Sequence, residues 1–368
     1  TIQTNDEVNL GRLYGEARDY LAATDMALTD ILAGIYDLAR EYRSIYDHAD
    51  DDPKAIADVY LRLEKLGVTT AVPLLAWLRT LPPSRLTQEQ HVRIVQAVDS
   101  FVLRRLITGG QTRGYGRAFL EVLQAGQNAP DSAPIDEAVL GALLSGPNGY
   151  TWPTDEEFTH HLIHRSLYGS VRQEVIRMVL GPLDAHLQAA RNKSEQATFQ
   201  YDDLTIEHVM PREWPDHWPL PSAPEELRSA AAAKRDRELH RLGNLTLISG
   251  SLNSSVSNGA WPTKQHGLLD HSRLALNDYF SNLADWDESS IEKRGADLAV
   301  SACQVWPRPV MDGLEAAPSP TKAMVDIGYL VRVGELSVGE VLVTGVDAFP
   351  HAKATVAADG LIVDGVLY

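Results

Sequence analysis

Apolar residues recur at three- and four-residue spacing along most of the first three hundred positions, the pattern of helices that bury one face. Segments 13–23 (LYGEARDYLAA), 29–46, 53–67 and 87–107 each carry it, and 135–146, 154–167 and 170–190 repeat it further on. Thr87 ahead of Glu89 and Gln90 reads as a helix N-cap, and Thr154 with Glu157 as a capping box. Between them, TTAVPLLAWLRTLPPS is an apolar stretch stopped by Pro82-Pro83. Residues 276–306 again show helical spacing.

The period changes in two places. Around 205–210 and 242–248, short β-branched or alternating runs (TIEHVM and LGNLTLI) read as strands. They flank a polar, alanine-rich insertion. After a Pro- and Ala-rich segment at 311–321, the runs GEVLVTGVD, AKATVAADG and GLIVDGVLY are separated by Gly and Asp-Gly turns and read as a small β module. The expected fold class is therefore mainly α: a helical bundle carrying an embedded strand–strand–helix unit, plus a β-rich C-terminal module. The expected divisions are a helical scaffold at 1–195, the unit with its helical tail at 196–310, a linker at 311–321 and the module at 322–368.

Composition narrows the function. A net charge of −17 on 368 residues is spread along the chain, so no region is basic overall. That argues against a non-specific nucleic-acid binder, and any contact with DNA needs a local patch or another part of the protein. A single cysteine, Cys303, excludes a disulfide framework and a cysteine-rich zinc site. No 18-residue apolar run predicts a membrane span and no basic–apolar leader opens the chain, so a cytoplasmic protein is expected. The missing initial Met predicts a fragment or a processed chain.

Candidate chemistry concentrates in 205–264. Hydrolysis of a phosphodiester needs a base for water, charge neutralisation at phosphorus and help for the leaving oxygen. A histidine suits the first task, and a hard divalent cation with oxygen ligands suits the others. Glu207 can supply a carboxylate, His208 a base and Asn253 an amide oxygen. On a regular strand Glu207 and His208 point to opposite faces, so a bend near Pro211 has to bring both to one site. Asn244, between Gly243 and an alternating run, reads as a buried amide that bridges backbone groups and holds the hairpin. The segment LNSSVSN after it reads as the start of a helix. The bland readings are a core histidine for His208 and a helix cap for Asn253. Elsewhere, His160 and His164 lie one helical turn apart without a third ligand, and GGQTRGYGRAF reads as a loop beside Arg104 and Arg105. Trp214, Trp218 and Trp261 read as packing.

Taken together, IEHVMP, HRLGNLTLI and LNSSVSNGAWPTK resemble the HNH, or ββα-metal, nuclease domain at the C-terminus of GmrSD-type modification-dependent restriction enzymes; the phosphorothioate-sensing SspE nucleases are similar. The resemblance implies a metal-dependent DNA endonuclease using Mg²⁺ or Mn²⁺, the effector of an anti-phage system acting on DNA that can be modified. It implies His208, Asn244 and Asn253 as the catalytic set, Asn253 with Glu207 as metal ligands, and His240, Arg241 and Lys264 at the substrate. The usual residue before the base is Asp, and here it is Glu207. A nucleotide-binding N-terminal half with a DGQQR-like motif belongs to such enzymes, has no counterpart here, and is expected as a missing partner portion. GELSVGEVL and ATVAADGLIVDGVLY resemble the RAMA module. The rival reading is a non-catalytic DNA-binding module on a degenerate HNH scaffold that reads modified DNA.

Overall fold

The computed structural model describes residues 10–47, 52–191, 199–216, 218–220, 224–250 and 259–311, with short stretches between 338 and 367. Among them the chain is mainly α-helical. Helices α1 (Leu13–Ala23), α2 (Leu28–Asp47), α3 (Lys54–Leu66), α4 (Val72–Thr80), α5 (Gln88–Ile107), α6 (Tyr115–Gln127) and α7 (Ile135–Leu144) come first. Helices α8 (Asp155–His164) and α9 (Gln173–Ala190) follow. Strand β1 (Thr205–His208) precedes α10 (Glu225–Glu238), and β2 (Leu245–Ile248) precedes α11 (Trp261–His271), α12 (Ala275–Asp278) and α13 (Glu288–Val305). None of these helices is long and apolar enough to cross a membrane.

Both caps expected from the sequence form. The Thr87 hydroxyl accepts from Gln90 N–H while the Gln90 side chain accepts from Thr87 N–H, and Thr154 with Glu157 does the same. The apolar stretch before Pro82 becomes α4, with Leu74, Leu75 and Leu78 buried. The polar insertion is the helix α10. The spacing over 276–306 is not one helix: it is broken before Asp287, whose carboxylate accepts from Ser290 N–H and starts α13 afresh.

Two large apolar clusters meet along α5. The first packs α3–α7 around Phe101, Phe119 and Trp152. The second joins Leu103 and Ile107 of α5 to α8, α9, the strands and α13. Helices α8 and α9, sequence neighbours of the scaffold, thus share their core with the hairpin. The end of α13 is bolted to α5: Trp306 donates to Asp99 at 3.1 Å, and its carbonyl accepts from Ser100 Oγ at 3.0 Å and Arg104 at 2.8 Å. A third cluster of Trp214, Trp218, Trp261 and Trp286 with Phe280 lies against the hairpin, so these indoles are packing residues.

β1 and β2 pair antiparallel, with Glu207 opposite Thr246 and His208 opposite Leu245. Near the C-terminus β3 (Val341–Val343), β4 (Lys353–Val356), β5 (Leu361–Val363) and β6 (Val366–Leu367) form a four-stranded antiparallel meander, where the sequence placed its β runs. The expected linker at 312–321 lies outside the described residues.

Candidate active site

The hairpin is too short to hold itself, and buried polar side chains hold it instead. Asn244 is fully buried, and all four of its amide positions are used. Its Oδ1 accepts from Met210 N–H at 2.8 Å and from the Trp286 indole at 3.0 Å. Its Nδ2 donates to the carbonyls of Met210 and Leu239, each at 2.9 Å. One side chain therefore fixes the bend just after His208, the end of α10 and the third cluster. Arg294 of α13 grips the same corner, donating to the carbonyls of Gly243 and Leu245 at 2.7 and 2.8 Å. It is fully buried, and burial pulls it down to about 10. Gly243 has its own reason: a Cβ there would collide with the backbone of Ile291 in α13.

Glu207 and His208 both border one cleft of about 530 Å³. Burial pushes the Glu207 carboxyl up and the Lys264 ammonium down, and their mutual attraction opposes both effects. Lys264, only 1% exposed, makes an ion pair with Glu207 Oε1 and donates to the His208 carbonyl at 2.5 Å. The sequence reading put this lysine at a substrate phosphate. The structure puts its ammonium inside the hairpin, on the carboxylate and the strand end.

His208 is 7% exposed, and its Nε2 lies 3.2 Å from Nδ1 of His240. Its pKa is lowered to about 3, first by burial and then by the charges of His240, Arg212 and Lys264. Burial also lowers His240. Tyr168 completes the group, packed edge-on to His208 at 4.5 Å and stacked on His240 at 5.6 Å. Arg241, the third expected substrate residue, pairs with Glu238 at 3.5 Å. Asn253 lies outside the described residues, as does the segment expected to open the helix after β2. The rings of His160 and His164 lie 4.7 Å apart on α8, tilted to one another. Arg105 is held against Tyr150 and the Thr151 carbonyl, and the neighbouring glycine loop is a largely exposed turn that leads into α6.

Sequence reasoning missed Tyr168, Arg177 and Arg212, all of which line the cleft. Their only sequence signal is unspecific, since each sits in a stretch that reads as helix or turn.

Among the described residues no three His, Cys, Asp or Glu side chains cluster as a metal site. The donors present still fit a hard divalent cation in kind. Glu207 lines the same cleft as His208 and brings a carboxylate of the hard-oxygen kind such an ion takes, with Oε1 tied to Lys264.

A neutral histidine beside a buried carboxylate–ammonium pair, at the mouth of a polar cleft, defines a candidate hydrolytic site on a helical scaffold. Residues 152–300 match the family model of GmrSD restriction endonucleases, C-terminal domain. The match supports a GmrSD-type C-terminal region over those residues and, with it, a nuclease role. The match begins just before α8 and covers α8, α9, the hairpin and most of α13. No curated protein matches the chain.

Proposed function

We propose that this chain is a metal-dependent HNH-type DNA endonuclease, the cutting part of a modification-dependent restriction system. The observation that carries the reading is the His208–His240 contact, with His208 buried beside a polar cleft within the stretch that matches the restriction-endonuclease family model.

In this reading His208 is the base. Held neutral, it has a lone pair to accept a proton from water. Of the two ways to share one hydrogen over 3.2 Å, donation from His208 Nε2 to His240 Nδ1 leaves His208 Nδ1 free as the acceptor. His240 then orients the base and spreads its charge once it is protonated. A phosphodiester entering the cleft brings negative charge, which raises the imidazole toward the working pH. Asn244 holds the bend that aims His208. Lys264 screens Glu207 from His208 and braces the strand end. Glu207 and Asn253 are the residues that would hold Mg²⁺ or Mn²⁺, which when bound supplies Lewis-acid stabilisation of the phosphate. The substrate is DNA, modified where the system requires it, and a nucleotide-binding portion of the enzyme delivers the cutter to it.

Plasmid nicking with Mg²⁺ or Mn²⁺ tests the reading. His208→Ala is expected to cut at least about 100-fold more slowly than the parent. Equal rates would remove His208 from the mechanism. Metal-independent DNA binding without any cutting would favour the rival, a reader on a degenerate nuclease scaffold.

A further inference from the structure

The cleft has two cations that the proposed chemistry leaves unused. Arg212 follows β1 at the outer rim and is exposed. Its guanidinium lies 6.0 Å from the Tyr168 ring centre, and it lines the same cleft as Glu207 and His208. Arg177 comes from α9 on another wall, and its Nε is buried without a hydrogen-bond partner. Among the described residues neither arginine is paired with a carboxylate.

Several other arginines are satisfied within the fold. Arg62 and Arg79 have carboxylate partners, Arg105 and Arg165 have carbonyls, and Arg104 and Arg235 have both. A protein of charge −17 has ample acid to neutralise its cations. The walls between the two arginines carry Glu207, tied to Lys264, and Glu213 at the rim. A guanidinium left with spare donors at a polar cleft suits an anion with paired oxygens, a carboxylate or a phosphate, and the nuclease reading selects the phosphate.

We propose that Arg177 and Arg212 bind the sugar–phosphate backbone of the DNA strand laid across His208, Arg212 at the phosphate next to the histidine and Arg177 at a neighbouring one. They form a local cationic patch on a chain that is acidic overall. The proposal rests on the nuclease reading for its ligand, and its test does not depend on cleavage.

The full chain is titrated against a short fluorescent single strand and the matching duplex, in a chelator-containing buffer, across a salt series. Arg212→Gln and Arg177→Gln are each expected to weaken binding about tenfold. Each should also flatten the salt dependence by about 0.7 in log–log slope for the single strand and about 0.9 for the duplex. Arg212→Lys should keep the slope, because a point charge still displaces counterions, while losing part of the affinity. Arg43→Gln, on the exposed face of α2, is the control expected to bind like the parent. Parent affinity and slope in both glutamine variants would overturn the proposal, as would a parent chain that binds neither DNA at low salt. Should Arg177→Gln melt earlier than the parent, Arg212→Gln decides alone, since that side chain is exposed. A chain that binds DNA through these arginines but never cuts it would sink the nuclease reading and leave this one standing. A chain that cuts DNA with both arginines replaced would do the reverse.

Discussion

The α3–α7 bundle and the hairpin region are both buried, but they are held by different forces. The bundle core is almost entirely apolar, with Ile56, Val59, Leu74, Val98 and Phe101 packed side chain to side chain. Around the hairpin, buried polar groups do the fastening: Asn244, Lys264, Arg294 and Asn277 bond to backbone carbonyls or to one another. The difference follows from geometry. Two strands of four residues cannot bury enough apolar surface to be stable alone, and their bends expose backbone groups that need partners. Hydrogen bonds also carry direction, which apolar contacts lack. The region that must aim a histidine is fastened by directional bonds, and the scaffold is filled by shape.

The sharpest way to break this contrast is Lys264→Met. It leaves Glu207 buried without its cation and is expected to cost roughly 4 kcal/mol in denaturant unfolding. Combining it with Glu207→Gln should recover more than half of that loss. No recovery would mean that the ion pair is not the fastening. Asn244→Ala comes next, at roughly 3 kcal/mol, because it strands the Met210 amide and carbonyl and the Trp286 indole in the interior. Ile56→Val in the bundle removes one buried methylene and should cost only about 1 kcal/mol. If Ile56→Val costs as much as Asn244→Ala, the two regions do not differ in the way described.

The smallest effect concerns a polar knot of the helical region, where Arg79 pairs with Glu41 and Asp52 beside Tyr60 and His91. Burial, with the Arg79 charge, lowers His91 to about 4. The unfolded chain binds the proton more readily, at a pKa near 6.5. The contribution of His91 is therefore present above about 6.5 and is lost as pH falls toward 4. Melting temperature against pH should have a shallower slope over that window in His91→Leu than in the parent. Identical slopes would exclude His91 as the titrating group.

The contrast also accounts for what could be read in the sequence. The bundle was legible because its signal is periodic: apolar spacing and the two capping boxes marked helices that form. The strands were legible from their own composition, and so was Asn244, since an amide inside an apolar run has to be satisfied by something. The surroundings of His208 were not. Its neighbours Tyr168 and His240 lie forty and thirty-two positions away, on a loop after α8 and at the end of α10, and no periodicity links them. Lys264 read as a phosphate ligand because a lysine's sequence context does not reveal which acid will bury it. The break before Asp287 was hidden because the spacing continues across it while the cap restarts the helix.

Helix α13 has a practical meaning for anyone who wishes to move the proposed nuclease unit elsewhere. It leans on the Gly243 corner at one end, and at the other Trp306 is locked into α5. The recognisable family segment stops at residue 300, six positions short of that anchor. A transplant cut at that boundary would carry the chemistry but leave its brace behind. The portable unit is therefore longer than the recognisable one, and it includes the socket on α5 into which the tryptophan fits.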